Sequence, residues 1–140
     1  MYNDYESLVK LYHQKEHFLF LGRGLNYPVA LIDRDMPVIC LVPQDNVYEK
    51  MISQVEQVHN RNGIVISLIN EGDEAVANKS NHVLRIPRAH PLLTPIIAVM
   101  PLQFLAYHTA VRRGADVDQP RNLAKSVTVE QKRLVLSSKD

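Results

Sequence analysis

Two apolar runs close together in the chain, "HFLFL" at His17–Leu21 and "VICLV" at Val38–Val42, constrain the fold more than any other feature. Neither alternates cleanly between apolar and polar residues. Strands of that kind belong in a sheet buried on both faces, usually a parallel one. Parallel neighbours need a crossover of roughly a dozen residues or more, usually containing a helix. Here only Gly22–Pro37 separates the two runs, and Pro28 lies inside it. The crossover helix has little room. An antiparallel, hairpin-like pairing is the competing outcome.

The remainder of the chain continues the strand and helix alternation. "DYESLVKLYHQK" predicts a first helix, capped by Asp4, with Tyr5, Leu8, Val9 and Tyr12 on one face. A second helix starts at Asn46 as N-cap with Glu49 at N3, an arrangement like a capping box. Its apolar stripe is Val47, Met51, Val55 and Val58, and Gly63 is placed to end it. "IVISLI" and "HVLRI" read as two further strands, with room for a short helix around Glu74–Ala77 between them. A long helix then runs to Gly114. The expected fold class is α/β: a three-layer, doubly wound parallel sheet of four strands, near residues 18–22, 38–42, 64–69 and 82–86, with flanking helices and one shortened crossover. In such sheets ligands sit beyond the carboxyl ends of the strands.

Composition narrows the function classes. The 140 residues suggest one domain, and 46% hydrophobic content can supply a core. A formal net charge of +1 with scattered basic residues argues against a nucleic-acid partner. Cys40 is the single cysteine, so no intrachain disulfide is possible; mid-strand, it reads as a buried structural thiol rather than a nucleophile. "MYNDYESLVK" lacks the basic and apolar regions of a signal peptide. "PLLTPIIAVMPLQFLAYHTAV" is the one membrane suspect, but Pro91, Pro95, Pro101, Gln103 and His108 interrupt it, so it reads as a core helix. No membrane partner and a cytoplasmic location are expected.

Several residues could carry chemistry. "GRG" after the first strand, Gly22, Arg23 and Gly24, could let backbone amides and a guanidinium meet an anion; alternatively it is a tight turn. It lacks the third glycine and the acidic residue of a dinucleotide site. His13 and His17 have metal-ligand spacing but no third ligand nearby, and no metal is expected. His59, His82 and His90 are scattered, and His108 reads as a hydrogen-bonded core residue. Glu71, Asp73 and Glu74 read as a solvated turn. "DVDQPRNLAKSVTVE" gathers Asp116, Asp118, Arg121, Asn122, Lys125 and Glu130 around Pro120, with Leu123, Val127 and Val129 interleaved. An ordered loop covering a site fits that pattern. Lys125 is then a proton donor, an anion partner or a plain surface lysine.

"PLQFLAYHTAVRRGADVDQPRNLAKSVTVE" closely resembles the C-terminal end of the glucosamine-6-phosphate synthases, the glutamine–fructose-6-phosphate aminotransferases. "FLGRGLNYPVAL" and "DRDMPVICLVP" resemble the second sugar-isomerase (SIS) subdomain of that family. The resemblance spans roughly Tyr5–Glu130. It implies a flavodoxin-like parallel sheet between helices, with residues 1–130 forming a truncated SIS domain, 115–130 its closing tail and 131–140 an extra C-terminal tail. It also implies a sugar-phosphate ligand, fructose 6-phosphate or glucosamine 6-phosphate, and no cofactor. By resemblance Lys125 assists ring opening, and Gly22, Arg23, Gly24, Arg121, Asn122, Ala124, Val127 and Glu130 belong to the substrate-binding set.

The departures from the family pattern matter as much. In the family, "GRGxxYPxAL" opens a long helix and a later histidine-bearing segment follows. Here the junction falls near Ala30–Leu31, with roughly thirty residues missing, about the contents of a βαβ unit. The family's isomerase glutamate and ring-opening histidine lie in that gap. The first SIS subdomain and the glutaminase domain are not represented either. The expectation is weak sugar-phosphate binding without autonomous catalysis, which leaves open whether the chain counts as an enzyme. The alternatives are a non-catalytic module pairing with a full-length enzyme, or a truncated product without function. Loss of the crossover helix should expose apolar surface on the sheet, so a homodimer or association with other SIS subunits is expected.

Overall fold

The structure, a computed structural model, describes residues 2–15, 17–22, 32 and 34–118. Four strands form a single sheet in the order β1 (Leu19–Leu21), β2 (Pro37–Val42), β3 (Ile64–Asn70), β4 (His82–Ile86), and every neighbouring pair is parallel. The parallel expectation therefore holds for the first pair too, with Leu19 opposite Val38 and Leu21 opposite Cys40. The length of β1 makes this possible. Three residues span about 10 Å, so the return to the start of β2 is short. A chain the length of residues 22–36 reaches about 50 Å when extended. No long helix is needed to bring it back.

Among the described residues, four helices flank the sheet: α1 (Tyr2–Tyr12), α2 (Tyr48–Asn60), α3 (Glu74–Ala77) and α4 (Thr94–Arg112). The strand side chains divide between two cores. On one face Ile39, Ile66, Leu68, Leu84 and Ile86 meet Tyr5, Leu8 and Val9 of α1 and Ala98 and Leu105 of α4. On the other, Val38, Cys40, Val42, Val65 and Ile69 meet Met51, Val55 and Val58 of α2 and Val76 of α3. Burial on both sides explains the apolar run of β2 and the mostly apolar β3, in which buried Ser67 accepts a hydrogen bond from the Ser80 hydroxyl. Cys40 is fully buried and burial pushes its thiol up to about 12, which matches a structural thiol.

Three local expectations need correction. Helix α1 begins at Tyr2, so Asp4 lies within it rather than at its cap. Helix α2 begins one residue late for the expected capping box. Val47 holds the N-cap position with no side-chain cap bond, and Asp45 Oδ1 accepts from the Val47 amide at 2.9 Å. Asp45 wins because its short carboxylate closes a turn onto its own backbone two residues on. Glu49 still sits in the first turn, where negative charge is favourable. At the far end Asn62, at φ 60°, takes the left-handed position, and the amides of Asn62 and Gly63 close onto the carbonyls of His59 and Val58. That is a Schellman motif with asparagine in the usual glycine place. Gly63 serves close packing instead: a Cβ there would lie 2.6 Å from Ile32 Cγ2 and 2.9 Å from Val58 Cγ1.

The acidic cluster is not simply a solvated turn. Asp73 is buried, caps α3 by accepting from the Val76 amide at 3.3 Å, and accepts from the Tyr48 hydroxyl at 2.7 Å. The reading of α4 as a core helix is half right. Ala98, Pro101 and Leu105 are buried against the sheet, whereas Ile96, Met100, Phe104, Tyr107 and Val111 are exposed. His108 is half-buried between the rings of Phe104 and Tyr107 rather than in the core.

Candidate functional site

The carboxyl ends of the strands converge on a cavity of about 710 Å³. Gly22, just after β1, lines it. The Pro43–Asn46 turn after β2, Asn70 at the end of β3 and the Arg88–Pro91 segment after β4 supply further walls. Thr94, Pro95 and Ala98 close it from the first turns of α4. The position follows from topology: parallel strands all point to one edge, and the loops leaving them must diverge to helices on opposite faces.

Asn70 holds this edge together. Its side chain is buried, its Oδ1 accepts from the Gln44 amide at 2.8 Å, and its Nδ2 donates to the Pro87 carbonyl at 3.3 Å. One side chain thereby ties the loop after β2 to the loop after β4. The charged lining groups among the described residues are Asp45 and Arg88, and none of the described lining residues is Glu, His or Lys. Asp45 is engaged in the turn that starts α2. Arg88 stands exposed at the rim, the described cation best placed to meet an anion there. A cavity with mostly apolar walls, fixed amides and a rim guanidinium suits a small polar ligand bearing one anionic group.

Of the sequence-derived site residues, Gly22 falls at the cavity. Arg23, Gly24, Arg121, Asn122, Ala124, Lys125, Val127 and Glu130 lie outside the described residues. Among the described residues, no group of three or more metal-ligating side chains comes together. His13 directs Nδ1 to the carbonyls of Val9 and Lys10 at the end of α1. His82 bonds the Tyr12 hydroxyl at 2.8 Å, and burial lowers its pKa. The sequence reading missed Asn70, Gln44, Arg88 and Thr94 as site residues. A signal for Asn70 existed: a polar residue ending an apolar strand points at the ligand-bearing edge of a parallel sheet.

Comparison with known proteins agrees with this architecture. The SIS domain model matches residues 27–113. The glutamine–fructose-6-phosphate aminotransferase (isomerizing) of Chlorobaculum tepidum is 50% identical over 154 aligned positions, covering 89% of this chain and 25% of that protein. That of Aquifex aeolicus is 43% identical, covering 89% and 26%. The chain thus spans about a quarter of the length of the curated relatives it matches. Since 89% of 140 residues is about 125, about 29 of the 154 aligned positions have no counterpart here. A solved structure, the C-terminal domain of glucosamine-fructose-6-phosphate aminotransferase from Francisella tularensis, superposes with a TM-score of 0.72 at 30% identity, covering 84% of this chain and 42% of that one. By sequence match, strand order and relatives together, the chain belongs to the SIS domain family.

Proposed function

We propose that this SIS domain binds a sugar phosphate, fructose 6-phosphate or glucosamine 6-phosphate, at the carboxyl edge of its sheet, weakly and without turning it over alone. The cavity bounded by Gly22, Asn70 and Arg88 carries the reading. The proposed contacts are Gly22 with Arg23 and Gly24 from the "GRG" stretch, and Arg121, Asn122, Ala124, Val127 and Glu130 from the closing tail, with Lys125 assisting ring opening. The proposed organisation is one truncated SIS domain, 1–130, with 115–130 as its closing tail and 131–140 as an extra tail. Proton shuttling between sugar carbons needs a positioned base. Asp45, the one carboxylate among the described lining residues, is tied into a backbone turn. The missing aligned positions match in size the segment that would carry the family's glutamate and histidine. The activity proposed needs no cofactor or metal, and the setting proposed is the cytoplasm, without nucleic-acid or membrane partners.

Titration of the purified chain with glucosamine 6-phosphate and fructose 6-phosphate tests this, by calorimetry and by amide chemical shifts. Millimolar-range binding, weakened by Lys125→Ala and by Arg23→Ala, is expected. Turnover of fructose 6-phosphate with glutamine or ammonia, or interconversion with glucose 6-phosphate, would overturn the non-catalytic part. Tight binding untouched by both substitutions would move the site elsewhere. A second reading, a non-catalytic module that pairs with other SIS subunits, draws on the exposed apolar surface of α4. A pull-down that recovers a full-length aminotransferase, without measurable sugar-phosphate binding, would favour it.

A further inference from the structure

Strand β1 lies at an edge of the sheet. Among the described residues, β2 pairs with one side of it and no strand pairs with the other. This open edge is apolar on both faces of the sheet. Leu19 and Leu21 belong to the core that α2 covers, whereas Phe18 packs on the opposite core. Phe20, level with Ile39, is 51% exposed. An apolar edge of this kind is a template for another strand, and native proteins keep such edges covered. Beside it lies a groove of about 1080 Å³, with Phe18, Phe20 and Ile39 on the sheet side and Leu102, Leu105 and Ala106 on α4. Gly114–Val117, just after α4, complete its wall.

We propose that the open edge of β1 is covered by the chain's own carboxyl-terminal segment, Arg133–Ser137, added to the sheet as a further strand. The residue pattern of that segment fits both faces of the edge. Leu134, Val135 and Leu136 are the one run of three apolar residues in 118–140, bracketed by Lys132 and Arg133 before and Ser137 and Ser138 after. Side chains alternate along a strand. Leu134 and Leu136 then enter the groove beside Phe20, and Val135 extends the face of Leu19 and Leu21. A strand alternating apolar with polar residues would cover only one of these faces. The tether also favours this occupant. The chain leaves the groove wall at Val117, and residues 118–133 separate it from Leu134. A stretch of that length reaches about 55 Å when extended, enough to pass the carboxyl edge of the sheet and return along β1. Tethering holds the segment at roughly millimolar effective concentration, well above any second copy at micromolar concentration. The short return after β1 leaves the edge bare, and the tail supplies the cover. Arg133–Ser137 lies beyond the residues proposed to meet the sugar phosphate, so its docking is measurable without ligand.

Amide hydrogen exchange on the full chain tests the proposal. The β1 amides that point away from β2 should be protected. The double variant Leu134→Asp, Leu136→Asp should speed their exchange about 10-fold or more and leave the amides of Ile64–Asn70 in β3 unchanged. Cysteine pairs test which face the leucines take. Under mild oxidation Phe20→Cys should form an intrachain disulfide with Leu134→Cys or with Leu136→Cys, and not with Val135→Cys, whose side chain lies across the sheet. Buried Cys40 does not compete. The yield should not change with protein concentration between about 5 and 50 µM, since both thiols belong to one chain. Unprotected β1 amides in the wild type, or exchange indifferent to the Asp substitutions, would overturn the proposal. So would failure of both leucine positions to cross-link, or equal cross-linking by Val135→Cys. A disulfide that forms between chains and fades on dilution would also overturn it, by assigning the edge to a second copy.

Discussion

Asn70 Oδ1 accepts the Gln44 amide proton at 2.8 Å, and that bond sets one wall of the cavity. Asn70 ends β3, Gln44 opens the loop after β2, and the asparagine's amide reaches on to the Pro87 carbonyl. The edge of the sheet where a ligand is proposed to bind is therefore held by one buried side chain. Asn70→Leu keeps the branched shape, though it is larger, and removes the acceptor of the Gln44 amide. The Gln44 amide is part-buried at the cavity wall, where water can take over part of the bond, so the loss should be about 1 kcal/mol. Urea unfolding should show that loss, and sugar-phosphate affinity should fall with it. Asn70→Asp keeps the Gln44 acceptor but sets a carboxylate against the Pro87 carbonyl, so it should also destabilise.

Asp73 and Tyr48 form a second link, from α3 to the start of α2. Asp73→Ala removes both the cap of α3 and the acceptor for the tyrosine hydroxyl. Cap loss typically costs about 1 kcal/mol, and loss of the hydroxyl's bond to Asp73 adds less, because Tyr48 is half-buried and keeps the Gln44 side chain as a partner. Tyr48→Phe removes only the second. A double-mutant cycle in urea should give a coupling below about 1 kcal/mol, and additive effects would show that the bond contributes nothing. Burial, reinforced by Asp73, pushes the Tyr48 phenol up to about 12. Ultraviolet titration should find its ionisation later in Asp73-bearing protein than in Asp73→Asn.

The fold was legible in the sequence where one physical demand acted alone. Val38–Val42 and Ile64–Ile69 read as buried on both faces, which usually means a parallel sheet between helix layers, and β2 and β3 pair in parallel. The short helix at Glu74–Ala77 was legible from turn residues on either side. Helix ends were less so, because Asn46 had the composition of a cap, whereas Val47 takes that position without a side-chain cap bond and Asp45 closes the turn just before it. Asp73 looked solvated because its partner Tyr48 is distant in sequence. Of the cavity lining, Gly22 was legible from its place after a strand, as a position at the carboxyl edge of the sheet. Asn70 and Arg88 were not singled out, since one polar residue at a strand end and one at a loop resemble many others.

Gly63 should tolerate no side chain. A Cβ would meet Ile32 Cγ2 and Val58 Cγ1 well inside contact distance, with the Val58 carbonyl at 3.2 Å behind them. Gly63→Ala should cost about 1–3 kcal/mol, the range for overpacking a filled core. Asn62→Gly, one residue earlier at φ 60°, should be neutral or slightly stabilising, because glycine takes that conformation without steric cost. Thermal denaturation of the two variants separates close packing from backbone conformation. Equal losses in both would show that the turn, not the contact, requires the glycine.

Cys40 should be silent toward thiol reagents in the native state. Its thiol is fully buried in β2 and raised to about 12, so thiolate is scarce near neutral pH. Labelling by an aromatic disulfide should proceed at the rate of global unfolding and accelerate with urea along the unfolding limb. Rapid labelling in buffer would show that β2 opens locally. Cys40→Ser, which places a hydroxyl in the same apolar layer, should destabilise by about 1–3 kcal/mol.

His82 gives the chain an acid-side dependence. Its ring bonds the Tyr12 hydroxyl and packs edge-on against it, tying β4 to α1, and burial lowers its pKa below the ordinary 6.5. The sign follows from linkage. Between the lowered native value and the unfolded value near 6.5, the unfolded chain holds more protons at this site. Stability from the neutral ring is therefore fully present above that unfolded value. It declines as pH falls toward and through the native value, where the native ring also takes a proton. Unfolding free energy measured from pH 7.5 down to 5 should fall more steeply in the wild type than in His82→Gln. The variant lacks the titrating group but keeps a side chain able to bond Tyr12. Tyr12→Phe should lower stability at neutral pH and leave a burial-driven acid dependence in place. Parallel pH curves for wild type and His82→Gln would assign the acid sensitivity to other groups.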